Sequence, residues 1–261
     1  MYVAYASPEY LRAAAAHPAI RQLKERSLDL MQIQGGHRVL ELGCGPAINT
    51  IPIARRVGPS GTVIGVDNDM TMVAEANLEA WRAGVGAWTS HRHAETTMLP
   101  FPDSYFDSCY SERLFQHLTV DQCVKATREA LRVTKPGGRV VIADTDWGSL
   151  SVDCDDTDLE RRIVRAHADR FMNGYSGRRS CRLLRQQGAL DCSLELFGVS
   201  LSYANAAFLL APSELLAVQT AAVTPAELTR WRATLAQANA YGVFHAHVTM
   251  TVAAGRRAKG G

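Results

Sequence analysis

The chain has 261 residues, of which 47% are hydrophobic and 21% are charged, so it can bury a full core within one elaborated domain. A formal net charge of +2 gives no reason to expect nucleic acid as a partner, and six cysteines without a CxxC pair indicate reduced, buried thiols. Because the sequence contains neither an apolar leader segment nor an apolar run of membrane-spanning length, we expect a cytoplasmic protein without membrane insertion.

Residues 1–36 are predicted to be helical and to form a cover separate from the domain at 37–261. Ala13 to Ala16 are strong helix formers, and apolar residues recur at helical spacing between Ile20 and Leu30. Gly35 and Gly36 then end this region.

The segment RVLELGCGPA, from Arg38 to Ala47, reads as a strand that runs directly into a glycine turn. Its continuous apolar run suits a strand that is buried on both faces. Gly43 and Gly45 allow a sharp bend with positive φ and a close approach of the backbone to a ligand. Pro46 and the apolar residues after it are predicted to open a helix.

The next predicted strand, Thr62 to Val66, ends at Asp67, about twenty residues after the glycines. A carboxylate at this point can accept hydrogen bonds from both hydroxyls of a ribose, so the order of these signals predicts a cofactor that contains a nucleoside. A dinucleotide reductase is not favoured, because Ile48 replaces the third glycine of the dinucleotide fingerprint and the chain has no YxxxK pair.

Asn68 and Asp69 are predicted to cap a helix from Met70 to Gly84, and a third strand is predicted from Trp88 to His93. After an AE...LPFPD stretch, a fourth strand is predicted from Phe106 to Tyr110. Open α/β sheets bind ligands at the carboxyl ends of their strands. This rule places four side chains after the fourth strand at the site: Ser111, Glu112, Gln116 and His117.

A helix from Val120 to Val133, a Pro-Gly-Gly turn and a fifth strand from Arg139 to Asp144 are predicted next. The segment at about 147–178 is then predicted to form a first substrate-cover element, with a helix capped by the acidic residues 153–158.

A sixth strand is predicted from Ser193 to Tyr203. The segment at about 204–242 is predicted to form a second, helical cover element that is broken at Pro212 and Pro225. The last strand is predicted from Phe244 to Ala253.

Four features together resemble the class I S-adenosylmethionine (SAM)-dependent methyltransferases of the ubiquinone/menaquinone-biosynthesis type. They are the E-x-G-x-G turn, the terminal Asp67, the AE...LPFPD stretch and the segment LRVTKPGGRVVIAD. The resemblance covers about Arg38 to Asp146. It implies an α/β, Rossmann-like fold with a seven-stranded, mostly parallel sheet, an antiparallel last strand, helices on both faces and a helical cover. Tyr2, Tyr5 and Tyr10 would line that cover or belong to an amphipathic surface.

The resemblance implies that SAM is the cofactor. Gly43 and Gly45 would make room for its methionine part, and Asp67 would bind its ribose hydroxyls. The other residues predicted to bind it are Glu41 before the glycines, Asn68, Ala94 and Glu95 beside the adenine, and Ser111 and Gln116 beside the sulfonium. Two departures from the family pattern are His93 in place of Asp or Asn, and a link to LPF that is two residues longer.

His117 is the candidate catalytic residue, because an imidazole can accept a proton near neutral pH if the acceptor must lose one. Carboxylates of Glu112 with Asp144 or Asp146 would suit Mg²⁺, but helix capping or pairing with Arg113 explains them more simply, and we predict no metal. Four aromatic residues are candidates for lining an acceptor pocket or for core packing: Trp147, Phe171, Tyr175 and Trp231.

We expect a small-molecule acceptor, such as an aromatic or natural-product metabolite methylated on oxygen, nitrogen or carbon. The sequence SER stands where adenine-N6 methyltransferases have an NPPY-like motif, which argues against nucleic acid. Two alternatives stay open: a protein methyltransferase, and a protein that binds SAM without methyl transfer or catalyses a cyclisation. A homodimer also stays open.

Overall fold

The computed structural model describes residues 7–259, so Tyr2 and Tyr5 lie outside the described part of the chain. These residues contain one seven-stranded sheet with the order β3-β2-β1-β4-β5-β7-β6. Its strands are Arg38–Leu42 (β1), Thr62–Asp67 (β2), Thr89–His93 (β3), Phe106–Glu112 (β4), Thr134–Val152 (β5), Leu190–Ser200 (β6) and Ala246–Arg256 (β7). Strand β7 runs antiparallel to both of its neighbours, which confirms the predicted Rossmann-like α/β fold.

Helices cover both faces of the sheet. They are Pro8–Ala15 (α1), Pro18–Leu30 (α2), Thr50–Val57 (α3), Met70–Arg82 (α4), Val120–Val133 (α5), Thr157–Asp169 (α6), Ser176–Gln186 (α7), Tyr203–Gln219 (α8) and Pro225–Ala240 (α9). Val39 packs into the core on one face and Leu40 into the core on the other, which explains the unbroken apolar run of β1. Among residues 7–259, no helix combines the length and the apolar character needed to cross a membrane.

The central position of β1 places the glycine turn between two strand ends. β1 pairs in parallel with β2 on one side and with β4 on the other. The carboxyl ends of all three strands therefore meet at one edge of the sheet, and the residues that follow them face a common space.

The helix predicted to open at Pro46 begins instead at Thr50. Gly43, Gly45 and Ala47 all have positive φ, at 67°, 48° and 63°, and this backbone cannot continue as a right-handed helix. The turn after β1 is therefore longer than the sequence predicted.

Strand β5 is longer than the predicted range 139–144, because it extends from Thr134 to Val152. The Pro-Gly-Gly turn forms a register shift within it, between the pairs Phe106↔Thr134 and Ser108↔Arg139. At the other end, β7 pairs with residues as far as Val152 and provides hydrogen bonds that the sequence pattern does not reveal. The first six residues of the predicted cover at 147–178 thus belong to the sheet.

The predicted helix break at Pro212 is wrong, because α8 continues through this residue. Leu209, Leu210 and Ser213 are all buried, and this packing outweighs the loss of one backbone donor. Pro225 instead occupies the first turn of α9, where proline fits. Strand β6 also ends earlier than predicted, at Ser200, since Ser202 caps α8.

Candidate active site

A cavity of about 670 Å³ opens at the carboxyl ends of β1, β2 and β4. Its roof is formed by α1, the start of α2 and α8, and its floor by the turns that follow the strands. Of the predicted cofactor and catalytic residues, six line the cavity: Gly43, Gly45, Asp67, Asn68, Gln116 and His117. Its size is within the range of small-molecule sites.

One half of the cavity is polar and is built by the glycine turn and the end of β2. The backbone N–H of Gly45 donates to one carboxylate oxygen of Asp67 over 2.9 Å, and the N–H of Asp69 donates to the other over 3.0 Å. Burial raises the pKa of Asp67, while these two backbone donors lower it. Asp67 thus binds the glycine turn as well as facing the cavity.

The two glycines have different surroundings. A Cβ at Gly43 would lie 3.2 Å from the side chain of Leu114, so this glycine permits close packing behind the turn. Among residues 7–259, a Cβ at Gly45 would meet only Leu11, at 3.9 Å, and would project into the cavity. The residues at the turn therefore fit a ligand that lies directly against the backbone at Gly45.

Glu41 lies beneath this turn and is fully buried rather than part of the cavity wall. The hydroxyl of Thr50 donates to one of its oxygens, and the other oxygen has no partner among the described residues. Burial raises the pKa of Glu41 to about 8. Glu41 thus supports the turn as a carboxylic acid that is largely neutral at pH 7.

Besides Glu41, three predicted cofactor residues do not line this cavity. The backbone N–H of Ala94 donates to the carbonyl of Asp67 over 3.0 Å, and the neighbouring Glu95 is exposed. Ser111 is buried at the end of β4, with no partner for its hydroxyl among the described residues. Their contacts with a cofactor stay predictions.

A chain of hydrogen bonds connects Trp147, Gln116 and His117. The indole N–H of Trp147 donates to Oε1 of Gln116 over 2.7 Å, and Nε2 of Gln116 lies 3.1 Å from Nε2 of His117. Because an indole N–H can only donate, the amide oxygen of Gln116 must face Trp147 and its NH₂ must face His117. His117 therefore accepts this hydrogen bond at Nε2 and carries its proton at Nδ1.

His117 is an exposed residue that lines the cavity, although neighbouring groups still reduce the hydration of its ring. Burial, with a smaller contribution from the positive charge of Arg113, lowers its pKa. The hydrogen bond from Gln116 agrees with this direction, since a proton at Nε2 would displace it. His117 is thus neutral at pH 7.

The carboxylates considered as metal ligands have other partners. Both oxygens of Glu112 accept from Lys24 of α2, at 2.8 and 2.6 Å, and Asp146 accepts from Arg178 over 2.7 Å. Asp144 accepts from the backbone N–H of Gln116 over 2.9 Å. Within the part of the chain that the structure describes, no three His, Cys, Asp or Glu residues are grouped as a metal site would require.

The second half of the cavity is apolar. The rings of Trp147 and Phe171 are stacked with centroids 5.0 Å apart and planes at 10°, and both line the wall. Aliphatic side chains of α8, β6 and β7 complete this half, including Leu209, Val199 and Met250. Trp231 lies in the core, where it donates to Glu214, and Tyr175 packs between arginines outside the wall.

Sequence reasoning did not select Arg113 for the wall, although this residue follows the predicted fourth strand by three residues. It also did not select Lys24, which pairs with Glu112 across 88 residues of sequence. The position of Arg113 after a strand end was the available signal. No local pattern could have indicated Lys24, because its partner belongs to another element.

Comparison with known proteins connects this geometry to one family. Residues 39–138 match the model of a methyltransferase domain. A 37.1 kDa protein of transposon Tn4556 from Streptomyces fradiae is 35% identical over 69% of this chain and 51% of that protein. A demethylmenaquinone methyltransferase of a Geobacillus species is 34% identical over 49% of this chain and 53% of that enzyme.

The chain spans about half the length of these curated relatives. Among solved structures, the YcgJ protein of Bacillus subtilis has a similar fold, with a TM-score of 0.64 and 17% identity over 92% of this chain and 100% of that one. The matched domain contains the glycine turn, Asp67 and the end of β4, which are the residues that build the polar half of the cavity.

Proposed function

We propose that this chain, a class I SAM-dependent methyltransferase by its domain and its fold, transfers a methyl group to a small, largely apolar acceptor. One observation carries the proposal: a single cavity combines a polar half at the glycine turn with an apolar, aromatic half. Methyl transfer needs both partners within one space that excludes water, with the nucleophile aligned on the methyl group.

The polar half has the features that SAM requires. When bound, SAM supplies a methyl group on a positively charged sulfonium. Gly45 leaves room at the turn, and the Asp67 carboxylate, which lines the cavity, would accept hydrogen bonds from the ribose hydroxyls. Asn68, next to Asp67 in the wall, would border the adenine. Gln116 would lie between the two halves, held by Trp147.

The apolar half favours a flat or branched hydrophobic acceptor. Trp147 and Phe171 provide an aromatic surface on which a ring can stack, and the aliphatic residues around them would exclude water. A roofed cavity of this kind suits a small molecule better than a side chain on a folded protein, which needs an open groove. We therefore propose a class of acceptor, namely small, flat or branched hydrophobic molecules.

His117 would contact the acceptor from the floor of the cavity. As a neutral imidazole, it can orient a polar group or accept a proton from an acceptor that must lose one. Proton uptake at Nε2 would require Gln116 to release its hydrogen bond. We therefore propose that His117 mainly orients the acceptor.

The test is transfer of a labelled methyl group. The protein would be incubated with methyl-labelled SAM and a panel of phenols, quinols, enols and aromatic amines, and the products extracted into organic solvent. We expect label in an extracted small molecule with at least one acceptor class. Label on protein, or no transfer by protein that binds SAM, would contradict the proposal and favour one of the alternative activities.

A further inference from the structure

Arg113 places a positive charge in the wall of the cavity. It follows β4 directly and lies on the floor beneath the roof formed by α1 and α8. Its guanidinium carbon lies 5.9 Å from the centre of the Tyr10 ring, within the range of a cation–π contact. Tyr10 in turn contacts Phe208 of α8, with ring centres 5.7 Å apart. Arg113 is thus at the boundary between the polar and apolar halves.

No carboxylate among residues 7–259 lies within salt-bridge distance of the Arg113 guanidinium. The nearest acidic neighbour in sequence, Glu112, is neutralised by Lys24, whose Nζ is 2.6 Å from its carboxylate. Asp144 is occupied by backbone donors of Gln116 and Thr145. The charge of Arg113 is therefore not balanced by an ion pair within the described protein.

The wall also contains three carboxylates: Glu112, which is next to Arg113 and paired with Lys24, and Asp67 and Asp69. Asp67 and Asp69 belong to the polar half, at the end of β2. Among the described lining residues, Arg113 is the only lysine or arginine. An anionic group that entered the apolar half would therefore find one cation, and burial away from water would strengthen that attraction.

The backbone of Arg113 has a conformation that is uncommon for this residue type. Its φ is +56°, in the left-handed region, and its N–H donates to the carbonyl of Ala143 in β5 over 2.9 Å. Residues held in this region concentrate at functional sites, where the surrounding structure imposes the conformation. The fold thus imposes a strained conformation at the residue that carries this charge into the cavity.

We propose that Arg113 binds an anionic oxygen of the acceptor, so that the site selects flat, apolar molecules with one acidic group in its ionised form. Phenolates, enolates and aromatic carboxylates share this chemistry. The inference rests on the proposed function for the location of the acceptor. It also makes a protein base unnecessary for acceptors that are acidic enough to ionise in water, in agreement with the hydrogen bond that occupies Nε2 of His117.

The test compares two fluorescent probes with the same aromatic skeleton, anilinonaphthalene sulfonate and its uncharged analogue N-phenylnaphthylamine. Both would be titrated into protein saturated with S-adenosylhomocysteine. The main variant is Arg113→Asn, because asparagine tolerates positive φ better than most residues. Arg113→Lys retains the charge, and Arg128→Gln removes an exposed arginine of α5 as a matched control.

We expect Arg113→Asn to weaken binding of the sulfonate about tenfold, as expected for one charge-assisted contact, and to change binding of the uncharged probe less than twofold. Arg113→Lys should retain most of the sulfonate affinity, and Arg128→Gln should leave both probes unchanged. An equal loss for both probes, or no loss for either, would overturn the inference.

The affinity for S-adenosylhomocysteine would be measured on the same variants by calorimetry. Unchanged affinity in Arg113→Asn is expected. A loss of that affinity with unchanged sulfonate binding would instead assign Arg113 to the carboxylate of the cofactor. Failure of the native protein to bind S-adenosylhomocysteine would reject the proposed function, while the probe pair, repeated without it, would still report on Arg113.

Discussion

Trp147 of β5 donates its indole N–H to the amide oxygen of Gln116, and this 2.7 Å contact joins β5 to the turn after β4 across the cavity floor. This contact, together with the 3.3 Å donation from the Gln116 NH₂ to the carbonyl of Arg113, determines which side of the amide faces His117. We expect Trp147→Phe to retain the stacking with Phe171 but to allow the amide to rotate, so that its oxygen can accept from His117.

The pKa of His117, measured by NMR in this variant, should then rise toward its ordinary value, because an accepting partner favours the protonated imidazole. The affinity for SAM should change little, since the indole lies in the apolar half. A pKa of His117 that stays as low as in the native protein would show that Gln116 does not influence it.

Asp67→Ala should weaken SAM binding by about 1 to 3 kcal/mol, the cost of leaving buried hydrogen-bonding groups without a partner. The loss includes the ribose contact and the contact that holds the N–H of Gly45. Asp103→Ala, which removes a carboxylate that is 69% exposed, provides the control. Calorimetric titration would measure both variants, and equal affinities would remove Asp67 from the site.

Three glycine-to-alanine variants separate backbone strain from contact with the ligand. Gly43, Gly45 and Gly58 all have positive φ, but a Cβ at Gly58 would meet no atom of the described residues within 4 Å. Gly58→Ala therefore reports the strain alone, about 1 kcal/mol or more. Gly43→Ala should be less stable than Gly58→Ala, because it also meets Leu114.

Both Gly45→Ala and Gly58→Ala should be destabilised by backbone strain, but only Gly45→Ala should lose affinity for SAM, because its methyl group would project into the cavity. Thermal unfolding and calorimetric titration would measure the two effects. Unchanged SAM affinity in Gly45→Ala would show that the ligand does not lie against this part of the turn.

Glu41 should make the stability of the protein depend on pH. Its pKa is raised from 4.5 to about 8 by burial, so between these values the folded state holds one more proton than the unfolded state. The stabilisation that the protonated Glu41 gives the folded state is complete below pH 4.5. As the pH rises from there, this part of the free energy of unfolding decreases by up to about 1.4 kcal/mol per pH unit. Above about pH 8, it no longer changes.

Glu41→Gln cannot ionise, so its stability relative to the native protein should increase from pH 5 to pH 8 in denaturant titrations and then remain constant. Asp144, whose pKa burial also raises, is present in both proteins and cancels from this difference. A difference that does not depend on pH would mean that Glu41 is ionised throughout.

Much of the fold could be predicted because its signals are local. Strand β1, strand β2 with its terminal Asp67, and helix α5 have the predicted bounds or nearly so, since apolar period and capping residues determine them. The start of α3 was wrong because Ala47 adopts positive φ without being glycine. The full extent of β5 depends on its pairing with β7, about a hundred residues later.

In the candidate site, too, some features follow from local sequence and others only from tertiary packing. Gly43, Gly45 and Asp67 were predicted from one motif within a stretch of 30 residues, Arg38 to Asp67, and the structure brings them together in one wall. The roof of α1 and α8, the partnership of Lys24 with Glu112 and the stacked pair in the apolar half arise from tertiary packing. Their residues carry no pattern that distinguishes them from ordinary core or surface positions.

The central claim is that the cavity at the glycine turn binds SAM. Its most direct test is calorimetric titration of the purified protein with SAM and with S-adenosylhomocysteine, with NAD as the control ligand. We expect micromolar binding of both sulfur compounds and no binding of NAD. Binding of NAD alone, or of none of the three, would contradict it and would remove the proposed functions of Gly45, Asp67 and Asn68.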